Sequence, residues 1–131
     1  MNDITERKDV EFLVDSFYKK AIKNEAIGFF FTKVVTLDWD HHMPVMYDFW
    51  EGILLGKTNY KGNPMTKHFG INSKVAMEEK HFQAWLTLWK ETVLENFQGE
   101  MANEAISRAT QIAGLMQCKM AEHTQKLKGK V

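Results

Sequence analysis

Residues 38–50 read Asp-Trp-Asp-His-His-Met-Pro-Val-Met-Tyr-Asp-Phe-Trp, with two adjacent histidines between acidic residues and a run of large apolar side chains. Successive residues of a helix point about 100° apart, so only one of the two histidines can face a protein core. Counting from His42 by three, four, seven and eight residues reaches only apolar side chains, namely Val45, Met46, Phe49 and Trp50. His41 reaches Asp48 by the same count. The pattern predicts an amphipathic helix over residues 40–55 with His42 on its apolar face.

Pro44 restricts where this helix begins, because a proline inside a helix removes a backbone hydrogen bond and clashes with the preceding turn. The helix is therefore expected to begin near Asp40 or His41, or to be distorted there. In either case His42 lies in the first turn, close to the positive end of the helix dipole, which favours the neutral imidazole. A neutral imidazole can both donate and accept a hydrogen bond.

The rest of the chain shows the same periodicity and no strand signals, so the predicted class is all-α. Apolar residues at helical spacing predict three more long helices, over 9–23, 78–97 and about 99–125. The uniformly apolar stretch 26–35 is interpreted as a short buried helix, and residues 126–131 are expected to fray.

A further, very short helix is predicted between two polar stretches. Asn63 has the character of an N-cap, and Pro64 that of a first helical residue, where its missing N–H is not needed. Gly70 is interpreted as the helix stop, which leaves about one and a half turns with His68 near the end.

Length and charge narrow the class of protein. The 131 residues, 44% of them hydrophobic, suit one domain over 1–131, and 17 basic against 17 acidic side chains provide no global field for nucleic acid or anionic lipid. No apolar run approaches about 20 residues, so no membrane span is expected. The single cysteine, Cys118, is interpreted as a small buried or half-exposed hydrophobe, and with no leader-like apolar N-terminus a cytoplasmic location is expected.

Four polar side chains stand out against these apolar faces. Tyr18, His42 and Trp85 lie on or beside the apolar faces of three different predicted helices, and His68 lies on the short one. Each alone is more often ordinary: Tyr18 and Trp85 as core residues, and His68 as a surface residue. His81 and His123 are likewise interpreted as surface histidines. Together, however, the four would suit a large, flat, apolar cofactor held by one histidine, and haem meets that description. The sequence contains no Cys-x-x-Cys-His, no His-Glu-x-x-His, no phosphate-binding glycine loop and no nucleophile elbow.

In combination and order, the motifs over roughly residues 9–125 resemble the truncated haemoglobins, and among them the third group. The resemblance rests on Phe17-Tyr18, Trp39 with His42, Phe49-Trp50 with Leu54-Leu55-Gly56, Tyr60-x-Gly62-x-Pro64-Met65-x-x-His68, and His81-Phe82-x-x-Trp85-Leu86-x-Leu88. It implies a two-over-two helical sandwich around non-covalent haem b, with a vestigial first helix and a mostly unwound segment that carries the proximal ligand.

The resemblance also assigns roles to individual residues. It implies that His68 is the proximal iron ligand and that Tyr18, His42 and Trp85 are the distal ligand-binding residues. His41 then faces solvent. Four further residues are implied to line the haem: Phe31, Met46, Phe49 and Trp50.

The sequence departs from the family pattern at two places. Phe29-Phe30 stands where a proline-bearing turn is expected, and the segment from Gly70 to Lys80 is longer than usual and lacks the usual proline. Both departures concern the shape of the proximal side rather than the implied ligands.

The resemblance implies a monomer whose pentacoordinate iron binds O₂ and other diatomic gases such as NO and CO. NO-dioxygenase or peroxidase-like turnover with an external reductant is the first hypothesis. A non-enzymatic O₂ carrier or gas sensor is the alternative, and a haem-free helical interaction module is a third reading. Whether His42 gates the pocket or ligates iron is left open by the sequence.

Overall fold

Helices make up all of the regular structure that the computed structural model describes, which covers residues 1–129. The all-α prediction is confirmed. In chain order the helices are α1 (Arg7–Ala21), a π-helix (Phe30–Val34), α2 (Trp39–Leu55), α3 (Pro64–Lys74), α4 (Glu79–Asn96) and α5 (Glu100–Lys128). None of them, within the described residues, combines the length and apolar character needed to cross a membrane.

The helices pack around α1 and α5. The apolar face of α1 is fully buried and contacts both α2 and α4, whereas α5 contacts α4, α3 and α2. Helix α2 therefore packs on α1 and α5, whereas α3 packs on α5. The arrangement positions the faces of α2 and α3 that carry the predicted site residues.

Helices α1 and α5 end at residues other than those predicted. Helix α1 ends at Ala21 rather than Lys23, and α5 continues to Lys128 rather than ending at Gln125. Lys126 and Lys128 lie in the last turn of α5, where cations interact favourably with the helix dipole, and this accounts for the extra helical residues. The expected fraying is therefore wrong for 126–128, while residues 130 and 131 lie outside the described residues.

Helix α3 is also longer than predicted. The Asn63 side chain caps it by accepting from the Thr66 N–H at 3.1 Å, as the sequence predicted. Gly70, however, does not end it, and the mostly unwound segment implied by the resemblance is instead an 11-residue helix. Gly70 keeps a negative φ and is exposed, so nothing at this position breaks the helix before Lys74.

The stretch predicted as a short buried helix is only partly buried and partly π-helical. The π-helix has Phe30 as its one buried residue, and the Val35 N–H donates to the Phe30 carbonyl at 3.1 Å, five residues back. Gly28, just before it, fits against α1 because a Cβ there would lie 2.7 Å from the Ile22 carbonyl oxygen. Such π-helical turns are frequent at functional sites.

The buried apolar side chains form two clusters. The main cluster joins α1, α2, α4 and the first half of α5. A smaller cluster of Phe82, Met116 and Met120 lies further along α5, and Met65 and Phe69 of α3 pack against it. Helix α3 therefore belongs mainly to the second cluster.

Candidate functional site

The Tyr18 hydroxyl and the His42 ring form the centre of the candidate site. The hydroxyl oxygen lies 3.1 Å from Nε2 of His42. Burial raises the pKa of Tyr18, so the phenol keeps its proton. Burial lowers the pKa of His42, and the neighbouring Lys67 and His41 add to this effect. Two neutral groups thus share one hydrogen bond, whose direction depends on the imidazole tautomer.

An aromatic frame surrounds this pair. The Trp39 ring lies edge-on to both rings, with centroid distances of 5.7 Å to His42 and 5.8 Å to Tyr18. Phe31 meets Tyr18 edge-on at 5.6 Å. Trp39 is 36% exposed, so it lies at the outer edge of the site. Trp39 belongs to a family motif but was not predicted as a site residue, although its position one helical turn before His42 was the available signal.

Helix α2 begins early enough to present His42 in this way. Asp38 stands at its N-cap and Trp39 is its first residue, one residue before the predicted start, so Pro44 lies inside the helix. Only three residues of this largely apolar helix are buried, namely Trp50, Glu51 and Leu54. Its other apolar side chains on the His42 face are half-buried and remain available to an apolar partner.

His68 lies on α3 with one ring nitrogen already used. Nδ1 is 2.6 Å from the Pro64 carbonyl oxygen, which can only accept, so Nδ1 carries the proton. Burial lowers the pKa of His68, while the bond to Pro64 opposes that shift. The ring is therefore neutral at neutral pH and Nε2 bears a lone pair. This tautomer, fixed by a backbone carbonyl, is the one that metal-binding histidines use.

Helices α2 and α3 each carry part of the candidate site. Within residues 1–129, no hydrogen bond, ion pair or aromatic contact joins the two helices. Lys67 of α3 nevertheless contributes to lowering the pKa of His42 on α2. In residue type, these groups fit haem: a neutral imidazole on α3 with an unprotonated Nε2, the polar groups of Tyr18 and His42, and half-buried apolar side chains on α2.

Comparison with known proteins shows the family to which the chain belongs. No family model matches the chain. The group 3 truncated hemoglobin ctb of Campylobacter jejuni is 31% identical over 108 residues, a stretch that covers 80% of this chain and 83% of that protein. The chain belongs to the group III truncated haemoglobins.

A solved structure agrees with this membership. The crystal structure of the group III truncated hemoglobin from Campylobacter jejuni matches with a TM-score of 0.78 at 29% identity, and the match covers 92% of this chain and 95% of that one. The predicted truncated-globin fold and the resemblance on which it rested are both confirmed. Membership of a globin family implies a haem cofactor and a diatomic gas ligand.

Trp85, on α4, packs near the candidate site. Its ring is parallel to that of Trp89 at 6.1 Å and lies 6.0 Å from Phe17, the neighbour of Tyr18. The Trp89 indole N–H donates to the Ala105 carbonyl at 3.1 Å, whereas no protein acceptor is recorded for that of Trp85 within residues 1–129. Since no buried side-chain polar atom there lacks a partner, the Trp85 N–H reaches accessible space and can donate to a ligand.

The predicted lining residues fall into two kinds. Phe31, Met46 and Phe49 are half-buried, and the Phe49 ring lies 5.1 Å from that of Tyr60. Trp50 is only 4% exposed and stacks on Trp89 at 4.3 Å, so it belongs to the main core as well.

Three residues that were not predicted as site residues lie elsewhere than expected, and a fourth, His41, lies where it was expected. The surface interpretation of His81 was wrong, because its ring packs against Phe30 at 4.9 Å and is buried. Its Nδ1 accepts the Glu78 N–H at 2.9 Å. His123 is half-buried and bonds to Asn72. Cys118 is exposed rather than buried or half-exposed. His41 is exposed.

Proposed function

We propose that this truncated haemoglobin holds haem b non-covalently through Nε2 of His68 and binds O₂, together with NO and CO, on the side of Tyr18, His42 and Trp85. The observation that carries the proposal is the bond from His68 Nδ1 to the Pro64 carbonyl, which leaves Nε2 as a neutral donor of its lone pair. When bound, haem would supply an iron that His68 would hold and that can bind a diatomic gas.

The chain's own residues then act on the gas through hydrogen bonds. The Tyr18 hydroxyl and the Trp85 indole N–H would donate to a ligand that carries partial negative charge. Each such bond in a dry pocket contributes about 1–3 kcal/mol, and about 1.4 kcal/mol corresponds to tenfold in affinity. Two donors therefore favour slow release of O₂.

His42 controls how much of this donation Tyr18 can give. When Nε2 of His42 accepts a hydrogen bond from the Tyr18 O–H, the phenolic hydrogen points away from a ligand. When Nε2 carries a hydrogen, it donates a hydrogen bond to the Tyr18 oxygen, and the phenolic O–H is free to point at the gas. The imidazole tautomer, or a swing of the ring, thus sets the polarity of the pocket.

Slow release suits chemistry on the gas better than bulk transport. In NO dioxygenation, one NO, one O₂ and one electron combine to give nitrate, and an external reductant would have to supply the electron. Peroxidase-like turnover would need an external reductant in the same way. Rapid O₂ dissociation would instead support the non-enzymatic carrier or sensor, and failure to take up haem would support the helical interaction module.

The first experiment is an absorption spectrum of the purified protein after haem has been offered, in oxidised, reduced and CO-bound states. We expect an intense Soret band that shifts with CO, and loss of stable haem attachment in His68→Ala. His41→Ala is the matched control, since His41 is an exposed histidine. Normal iron coordination in His68→Ala would contradict the ligand assignment.

A further inference from the structure

Helix α3 has one buried residue, and it is an asparagine. Asn72 is 3% exposed, whereas the apolar residues of α3 are only half-buried. Helices in soluble proteins are usually fixed by burying an apolar face. The position of α3 therefore depends to an unusual degree on the polar contacts of one amide.

All of these contacts lead to the end of α5 or to the segment after α3. The Nδ2 amino group lies 2.9 Å from Nδ1 of His123, 3.0 Å from Oγ1 of Thr124 and 3.3 Å from the Met120 carbonyl oxygen. Oδ1 accepts the Met77 N–H at 2.7 Å. The amide is thus saturated with partners, and removing it would leave buried polar groups unpaired.

His123 also touches α3 through its ring. The Phe69 and His123 rings lie 4.8 Å apart at 34°. His123 therefore holds α3 at two successive places along the chain, at Phe69 by ring contact and at Asn72 by a hydrogen bond. Together these contacts restrict both sliding and rotation of α3 against α5.

Rotation of α3 matters for His68. Asn72 follows His68 by four residues, and residues at this spacing lie on the same side of a helix, one turn apart. A rotation of α3 about its axis would turn both side chains together. The Pro64 carbonyl fixes the tilt of the His68 ring, and Asn72 fixes the rotation of the helix that carries it.

We propose that Asn72 and His123 form a positioning pair that sets the direction of the His68 Nε2 lone pair. This inference rests on the proposed function, in which that nitrogen ligates haem iron. Outer residues that orient a metal ligand typically change metal affinity or activity by about 10–100-fold when replaced.

The variants separate the effect of the hydrogen bond between Asn72 and His123 from that of the ring contact between His123 and Phe69. Asn72→Ala removes the amide, and His123→Phe keeps a ring against Phe69 but removes the acceptor. His123→Gln restores an acceptor in place of Nδ1. Asn96→Ala is the matched control, because that amide donates to the Thr92 carbonyl at 2.8 Å within α4.

The decisive readout is the iron–histidine stretching band of the reduced, haem-loaded protein in resonance Raman spectra. We expect this band to shift or broaden in Asn72→Ala and His123→Phe, and haem loss to accelerate about tenfold or more. In His123→Gln, the band and the rate of haem loss should return close to the wild-type values. In Asn96→Ala, both should be unchanged. Urea unfolding of each haem-free variant reports general destabilisation separately.

The possible failures are distinguishable. An unmoved band in both Asn72→Ala and His123→Phe overturns the positioning pair, even if both variants are less stable. If Asn72→Ala does not fold, His123→Phe and His123→Gln alone decide the question. Persistence of the same band in His68→Ala would overturn the proposed ligand instead.

Discussion

At the scale of single residues, the hydrogen bond between Tyr18 and His42 gives the site a polarity that can be reversed. Neither group is charged near neutral pH, since burial opposes the charged form of both. A neutral pair at 3.1 Å can exchange donor and acceptor roles without placing a buried charge. The same two residues can therefore strengthen or weaken a hydrogen bond to a gas.

Replacing Tyr18 by Phe removes one donor and keeps the aromatic contacts with Phe31 and Trp39. We expect haem to remain bound and the O₂ dissociation rate to rise about tenfold, which corresponds to about 1.4 kcal/mol. Stopped-flow displacement of O₂ by CO measures the rate. Tyr47→Phe is the control, because the Tyr47 hydroxyl donates to Asp15, between α1 and α2. An unchanged rate in Tyr18→Phe would remove Tyr18 from the set of ligand donors.

Individual residues also show what spacing can predict. The choice of His42 over His41 needed only helical geometry, and the structure has His41 exposed and His42 bonded to Tyr18. His81 was misjudged because its burial depends on Phe30, a residue far away in sequence, whose ring lies 4.9 Å from the imidazole. The roles assigned to Tyr18, His42, His68, Trp85 and the lining residues all remain predictions.

At the scale of helices, α5 is capped from the far end of the chain. Gly99 at its N-cap has a φ of 139° and no side chain to offer. The Asp3 carboxylate instead accepts the Met101 and Ala102 N–H groups at 3.0 and 2.9 Å. These bonds outweigh the effect of burial and lower the pKa of Asp3.

Loss of this cap should weaken the fold measurably. We expect Asp3→Ala to lower the free energy of unfolding by about 1–2 kcal/mol, the usual cost of removing a helix cap. Asp38→Ala is the matched control, since Asp38 stands at the N-cap of α2 without a side-chain capping bond. Urea denaturation of the haem-free proteins compares the two. Equal losses would mean that the remote carboxylate is not a specific cap.

The presence of each helix was easier to predict than its length. The N-cap at Asn63 depends on adjacent residues, so the sequence alone located it. The end of α3 depends on Asn72 and its partners on α5, about 50 residues away, and local sequence carries no trace of that contact. The π-helix was missed for a similar reason, because its register is set by packing against its neighbours.

At the scale of the whole molecule, three histidines couple folding to pH. Burial lowers the pKa of His42, His68 and His81 from the usual 6.5. The unfolded chain therefore binds more protons than the folded one below about pH 6.5, so stability present at neutral pH is lost as the pH falls.

We expect the haem-free protein to unfold at lower urea concentration at about pH 5.5 than at about pH 7.5, a window above the titration of most carboxylates. Replacing all three histidines by glutamine should flatten this dependence. Replacing the exposed His41 should leave the difference in stability between the two pH values in place. A wild-type protein equally stable at both pH values would contradict the linkage.

The global architecture was the most predictable level, because four long amphipathic patterns and an ordered set of motifs all pointed to one fold. The single domain over 1–131, the monomeric state and the cytoplasmic location stay predictions. They depend on surfaces and partners rather than on helical periodicity.

The division of the core into two clusters has a consequence for cooperativity. Helices α1 and α4 belong to the main cluster, whereas α3 and the second half of α5 rest on the small one. In hydrogen exchange of the haem-free protein, we expect amides of α3 and late α5 to exchange before those of α1 and α4, as a separate opening unit. A cofactor that contacts both units would couple their opening. Haem would then stabilise the fold of this protein as a whole, in addition to supplying its chemistry.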